Sequence, residues 1–156
     1  MGRAADRGPG RTGGPAMNAT SYTSELELAA RTESVRWARR HTRGVLGAWR
    51  LRGDHIDTAQ LIVSELVTNA VRHEAGRRDS TDEPRVTLTL HCEPAQLIVL
   101  VSDGNPNPPV GNGAVPHAAE GGRGLFIVEA VSKEWSYYFP PTGGKVVWCI
   151  LALGSE

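Results

Sequence analysis

The run Leu97-Ile98-Val99-Leu100-Val101 constrains this chain more than any other feature. A continuous apolar stretch of that length reads as a strand buried on both faces. Such a strand needs neighbours, and the chain supplies them. Val86, Leu88 and Leu90 alternate with Thr87 and Thr89, the pattern of a half-buried strand. Glu134 to Phe139 and Lys145 to Leu153 read as two further strands joined by a turn at Gly143-Gly144, and Ser21 to Leu28 as a short first strand. Helical periodicity marks three other segments. Ser34 to Trp49 places Val35, Ala38, Val45 and Trp49 near one face. A second helix starts at Asp54 or Asp57 and runs to about His73, with Ile56, Ala59, Ile62, Val63, Leu66, Val67, Ala70 and Val71 forming a wide apolar stripe. Gly124 to Ser132 carries Leu125, Phe126, Val128 and Val131. The order β-α-α-β-β-loop-α-β-β predicts an α+β fold, a two-layer α/β sandwich. Its sheet is mixed and mostly antiparallel, with helices on one face.

Between these elements lie three stretches of different character. Residues 1–20 are mostly Gly, Arg, Pro and Ala with little to bury, and read as a disordered tail in which Met17 is an alternative start. Gly76 to Pro84 is a polar connector. Asp103 to Gly124 is a long Gly/Pro-rich segment, and a loop of that length inside a compact domain is functional or disordered. Hydrophobic residues make up 40% and charged residues 22% of the 156, enough for a core. The formal net charge of +0 argues against a nucleic-acid binder, although residues 1–52 hold ten arginines against four acids. No apolar run approaches the ~20 residues of a membrane span, and no secretory signal opens the chain. Two cysteines, Cys92 and Cys149, make neither a disulfide framework nor a thiolate metal site. The expectation is a cytoplasmic protein.

Chemistry concentrates in three places. Glu65, Asn69 and Arg72 stand at i, i+4 and i+7 on the second helix with His73 beside them, one polar stripe next to the apolar face. An Asn oxygen one turn from a carboxylate suits Mg²⁺, whose other positions go to water and phosphate, while the carboxylate can orient or deprotonate a nucleophile. Asp103-Gly104 follows the buried strand directly. A partly desolvated Asp there needs a partner, and a purine amino group is one; Asp-Gly is also a common turn signal. Gly121-Gly122-Arg123-Gly124-Leu125 opens a helix after the long loop, where backbone N–H groups and Arg123 offer an anion site. Gly143-Gly144-Lys145 lacks the spacing of a P-loop, and neither GxSxG nor HExxH occurs.

Together, ELVTNAVRHE (65–74), VSDGN (101–105) and GGRGLFIVEAV (121–131) resemble the N box and the two glycine boxes of the GHKL ATPase superfamily, which includes gyrase, heat-shock chaperone ATPases, histidine kinases and mismatch-repair ATPases. Size and spacing are most similar to the stand-alone anti-sigma-factor serine kinases. The resemblance covers residues 21–156 and implies a histidine-kinase-like ATP-binding domain with a Bergerat-type fold. It implies ATP and Mg²⁺ as cofactors, with Asn69 as the metal ligand and Asp103, with Gly104, at the adenine amino group. Gly122, Arg123, Gly124 and Leu125 would meet the phosphates, Arg72 and His73 would lie near them, and 105–121 would be the ATP lid. Glu65 is the discriminating position: an acid proposed as general base in the serine kinases, commonly Asn in histidine kinases. Two departures stand out. Asn105 and Asn107 replace the glycines of the DxGxG pattern, and Val146 sits where relatives often carry a Thr near Asp103. The resemblance implies a Mg-ATP-dependent serine/threonine protein kinase that phosphorylates a small antagonist (anti-anti-sigma) protein and sequesters a sigma factor, with homodimerisation plausible and no nucleic acid or membrane partner. The alternative is an ATP-binding regulatory module that switches a protein–protein interface without phosphotransfer.

Overall fold

The computed structural model describes residues 21–75, 83–109 and 120–154, with the backbone alone for 120–124. The tail at 1–20, most of the 76–84 connector and the interior of the long loop lie outside the described residues. Eight elements follow in the expected order: β1 (Tyr22–Ala29), α1 (Ser34–Ala48), α2 (Gly53–Ala75), β2 (Arg85–Cys92), β3 (Gln96–Asp103), α3 (Glu120–Val131), β4 (Glu134–Tyr138) and β5 (Lys145–Ala152).

The strands form one sheet in the order β1-β2-β3-β5-β4, and every neighbouring pair is antiparallel. The expectation of a mixed sheet is therefore corrected. β3 and β4 run the same way and are joined through α3, but β5 inserts between them, so the crossover leaves no parallel neighbours.

All three helices lie on one face. Leu28, Leu88, Leu90, Leu97, Val99, Val101, Val147 and Cys149 meet Ala38 and Leu46 of α1, the stripe of α2, and Leu125 and Val128 of α3 in the main core. The alternation is strict: Leu97, Val99 and Val101 belong to this core, whereas Ile98 and Leu100 point to the other face beside Val146, Trp148 and Ile150. β3 is buried on both faces, as its unbroken apolar run requires. α1 is clipped to α2 by two arginines. Arg39 reaches Ser64 Oγ at 2.7 Å, and Arg43 reaches Asp57 at 2.9 Å and Gln60 Oε1 at 3.0 Å. α2 begins at Gly53 with Asp54 in its first turn, where a carboxylate complements the helix dipole. Among the described residues no helix is long and apolar enough to cross a membrane.

Candidate active site

The second half of α2, the end of β3 and the start of β5 meet at one end of the helix-covered face. The apolar stripe of α2 buries against the sheet and carries Asn69 inward with it, to 4% exposure. Glu65, one turn earlier, is half-buried, and Arg72 is exposed. His73, one turn after Asn69, is buried. Two contacts tie this helix to the turn after β3. The Glu74 carboxylate accepts the Gly104 N–H, and Asn105 Nδ2 donates to the His73 carbonyl at 3.0 Å. Glu65, Asn69 and His73 thus lie along the helix that closes over Asp103.

Asp103 is the last residue of β3 and faces the helices. Its Oδ1 accepts the Asn105 N–H at 2.8 Å and Lys145 Nζ at 3.0 Å. The side chains of Lys145 and Asp103 are 0% and 1% exposed. Lys145 also donates to the Asn105 carbonyl at 3.4 Å. Burial pushes the Asp103 carboxyl above the ordinary carboxylate range, Lys145 and the Asn105 N–H oppose this, and Glu74 adds to it. Burial, then the Lys145 ammonium, drives the His73 imidazole down to about 4. Lys145 is the buried cation paired with Asp103.

This geometry corrects the reading of Val146. Register pairs Asp103 with Lys145 and Ser102 with Val146. Val146 points to the opposite face, so the side chain beside Asp103 is a lysine. Nothing in local composition shows which of two adjacent residues faces inward, because a one-residue slip exchanges the faces. A lone charge beginning the apolar strand KVVWCIL was the available signal, since a buried ammonium needs a partner. Glu74 was missed for a similar reason: its partner, the Gly104 N–H, is 30 residues away.

The other expected positions divide. Gly104 is present at the site, but its N–H is taken by Glu74. Asn105 replaces a glycine yet fastens the loop, since its side chain bonds both the His73 carbonyl and the Asn107 N–H. α3 starts at Glu120, four residues earlier than expected. Gly121 and Gly122 therefore lie in its first turn, where backbone N–H groups have no partner within the helix. Gly124 lies a turn in, where the helix ladder takes its N–H. Of Arg123 the structure describes the backbone only. The Leu125 side chain is core, 1% exposed, so its contribution near a ligand is limited to its backbone.

ATP and Mg²⁺ can be tested against these groups. Among the described residues no group of three His, Cys, Asp or Glu side chains converges on a metal position. A divalent ion at this helix would take one oxygen from Asn69 and the rest from phosphate and water, which is how Mg²⁺ accompanies nucleotides. The first turn of α3 suits phosphate. Asp103 is a buried carboxylate acceptor, with Lys145 on one of its oxygens.

Comparison with known proteins identifies the family and the fold. The model of the histidine kinase-like ATPase domain matches residues 28–151. The serine-protein kinase RsbW of Staphylococcus epidermidis is 26% identical over 133 residues, covering 78% of this chain and 82% of that protein. The crystal structure of the RsbU and RsbW domains of a Mycobacterium tuberculosis protein superimposes with a TM-score of 0.57 at 20% identity, covering 85% of this chain and 32% of the other, and shows the same fold. With residues 28–151 accounted for by that one model, the chain belongs to the histidine kinase-like ATPase domain family.

Proposed function

We propose that this chain is a Mg-ATP-dependent serine/threonine protein kinase of the anti-sigma-factor type. The observation that carries the reading is the closure of α2 onto the β3 turn, through Glu74 to Gly104 and His73 to Asn105. It fastens the end of the helix that carries Glu65 and Asn69 to the turn that follows Asp103. When bound, Mg-ATP supplies the transferable phosphoryl group and much of the charge neutralisation. Asn69 would hold the cation through its carboxamide oxygen. Glu65 would accept the proton of the attacking hydroxyl, and the N–H groups of Gly121 and Gly122 would donate to phosphate oxygens. Arg72, exposed on the last turns of α2, adds positive charge at the same end. Catalysis by such a set is positioning and electrostatics.

The acceptor is a small antagonist protein presenting Ser or Thr, and the sequestered partner is a sigma factor. RsbW of Staphylococcus epidermidis, a serine-protein kinase by name, supports the kinase assignment. A docking surface is available on α1, where Arg36 and Arg40 flank the half-exposed Trp37 at 5.8 and 5.7 Å from its ring. That patch suits an acidic, apolar segment. A second reading, an ATP-binding module that switches an interface without phosphotransfer, is favoured by the Lys145 ammonium on Asp103.

Calorimetric titration with Mg-ATP, and phosphotransfer from labelled ATP to co-purifying proteins, separate the two. Glu65→Gln is expected to bind ATP normally while losing at least ~10²-fold in transfer, and Asn69→Ala to lose Mg-dependent binding. Wild-type transfer by Glu65→Gln overturns its role as base. Binding with no phosphoprotein selects the second reading.

A further inference from the structure

We propose that Lys145 occupies, in the nucleotide-free protein, the bond on Asp103 that a purine amino group takes, so that nucleotide entry exchanges an internal ammonium for the base. The inference rests on the reading of Asp103 as the base-binding carboxylate and adds a residue that governs access to it.

Geometry makes the two donors competitors. Asp103 Oδ1 already accepts two hydrogen bonds, from Asn105 N–H and from Lys145 Nζ. With the paired side chains 1% and 0% exposed, no face of the carboxylate is open to an incoming ring. Asp103 is held from several sides: by the Asn105 N–H, and by a turn fastened to α2 through Gly104 and Asn105. Lys145 is the movable member, since its ammonium sits on a flexible four-carbon stem. Both donors make charge-assisted bonds to the carboxylate, but the ammonium adds a charge–charge attraction that the neutral amino group of a base lacks. Exchange therefore weakens binding relative to a site whose β5 residue is small and neutral. The expected penalty is about ten- to a hundredfold in affinity, the range of a hydrogen bond to a charged group.

The chain has two lysines, and Lys133 is exposed, so it serves as an internal standard. Acetylation by an N-hydroxysuccinimide ester, quantified by mass spectrometry, is expected to leave Lys145 protected in the free protein and when Mg-tripolyphosphate is added, and to modify it at saturating Mg-ATP. Lys145→Thr is expected to bind Mg-ATP about ten- to a hundredfold more tightly by calorimetry. Because that variant leaves Asp103 without its buried cation, the acetylation pattern of the wild-type protein decides the matter if it fails to fold. Lys145 remaining protected while calorimetry shows ATP bound overturns the exchange and leaves the nucleotide reading intact. Folded wild-type and Lys145→Thr proteins that both ignore ATP overturn the nucleotide reading itself. ATP binding by Lys145→Thr alone supports the exchange in its strongest form.

Discussion

Gly144 is the position at which a single methyl group tests how β5 is brought against Asp103. It lies at φ 71°, one residue before the strand. A Cβ there would sit far inside contact distance of the Asp103 carbonyl oxygen, 3.0 Å from Gly104 Cα and 3.1 Å from the Asp103 carbonyl carbon. All three are backbone atoms, so no side chain can swing aside. Alanine at a left-handed position costs about 1–2 kcal/mol. Overpacking against immovable neighbours adds about 1–3 kcal/mol, giving Gly144→Ala an expected loss of about 2–5 kcal/mol. Gly143, in the same turn at φ 101°, has nothing within 4 Å of its Cβ position. Gly143→Ala therefore carries the conformational cost alone, about 1–2 kcal/mol. Urea unfolding at pH 7, followed by tryptophan fluorescence, measures both, with an unchanged m-value showing that the surface exposed on unfolding is the same. The shift that relieves the clash also moves Asp103, so Gly144→Ala is expected to weaken Mg-ATP binding where Gly143→Ala does not. Equal losses from the two variants, within about 0.5 kcal/mol, would refute the close approach as the reason for glycine at 144.

Two further outcomes follow from particular side chains. The His73 imidazole is held down to about 4 by burial and by Lys145. Its neutral form therefore contributes stability that is complete above the unfolded value near 6.5 and is lost as pH falls through about 4, roughly 3 kcal/mol in all. His73→Gln is expected to flatten that part of the urea midpoint against pH, and parallel curves for the two proteins would remove His73 as the cause. Arg50 closes α1 at φ 67°, and Leu51 N–H bonds back to the Leu46 carbonyl, the cap geometry in which glycine is usual. Arg50→Gly is expected to stabilise by about 1 kcal/mol, and a destabilised variant would show that the arginine side chain does more than tolerate the turn.

Much of the architecture was legible because it repeats locally. The stripe from Ile56 to Val71 could bury only as a helix, the unbroken 97–101 run only as an inner strand, and the alternation at 86–90 only as a strand with one face on the core. The polar stripe at 65, 69 and 72, with His73 beside it, was readable in part for the same reason; the fold buries Asn69 and His73 and leaves Arg72 exposed. What escaped was everything that depends on a partner distant in the chain. The start of α3 moved to Glu120, because loop and helix share the same glycine-rich composition and only packing settles where the first turn forms. Leu125 turned inward for the same reason.

The amino-acid order alone therefore determined the elements, their succession and the residue types able to hold a metal–phosphate group, since these follow from periodicities within single segments. Only the tertiary structure decided that Lys145, and not Val146, faces Asp103, and that Glu74 takes the Gly104 N–H. Strand register is a relation between segments 42 residues apart, set by a turn and a shared core, and a slip of one residue would have turned the ammonium to the other face.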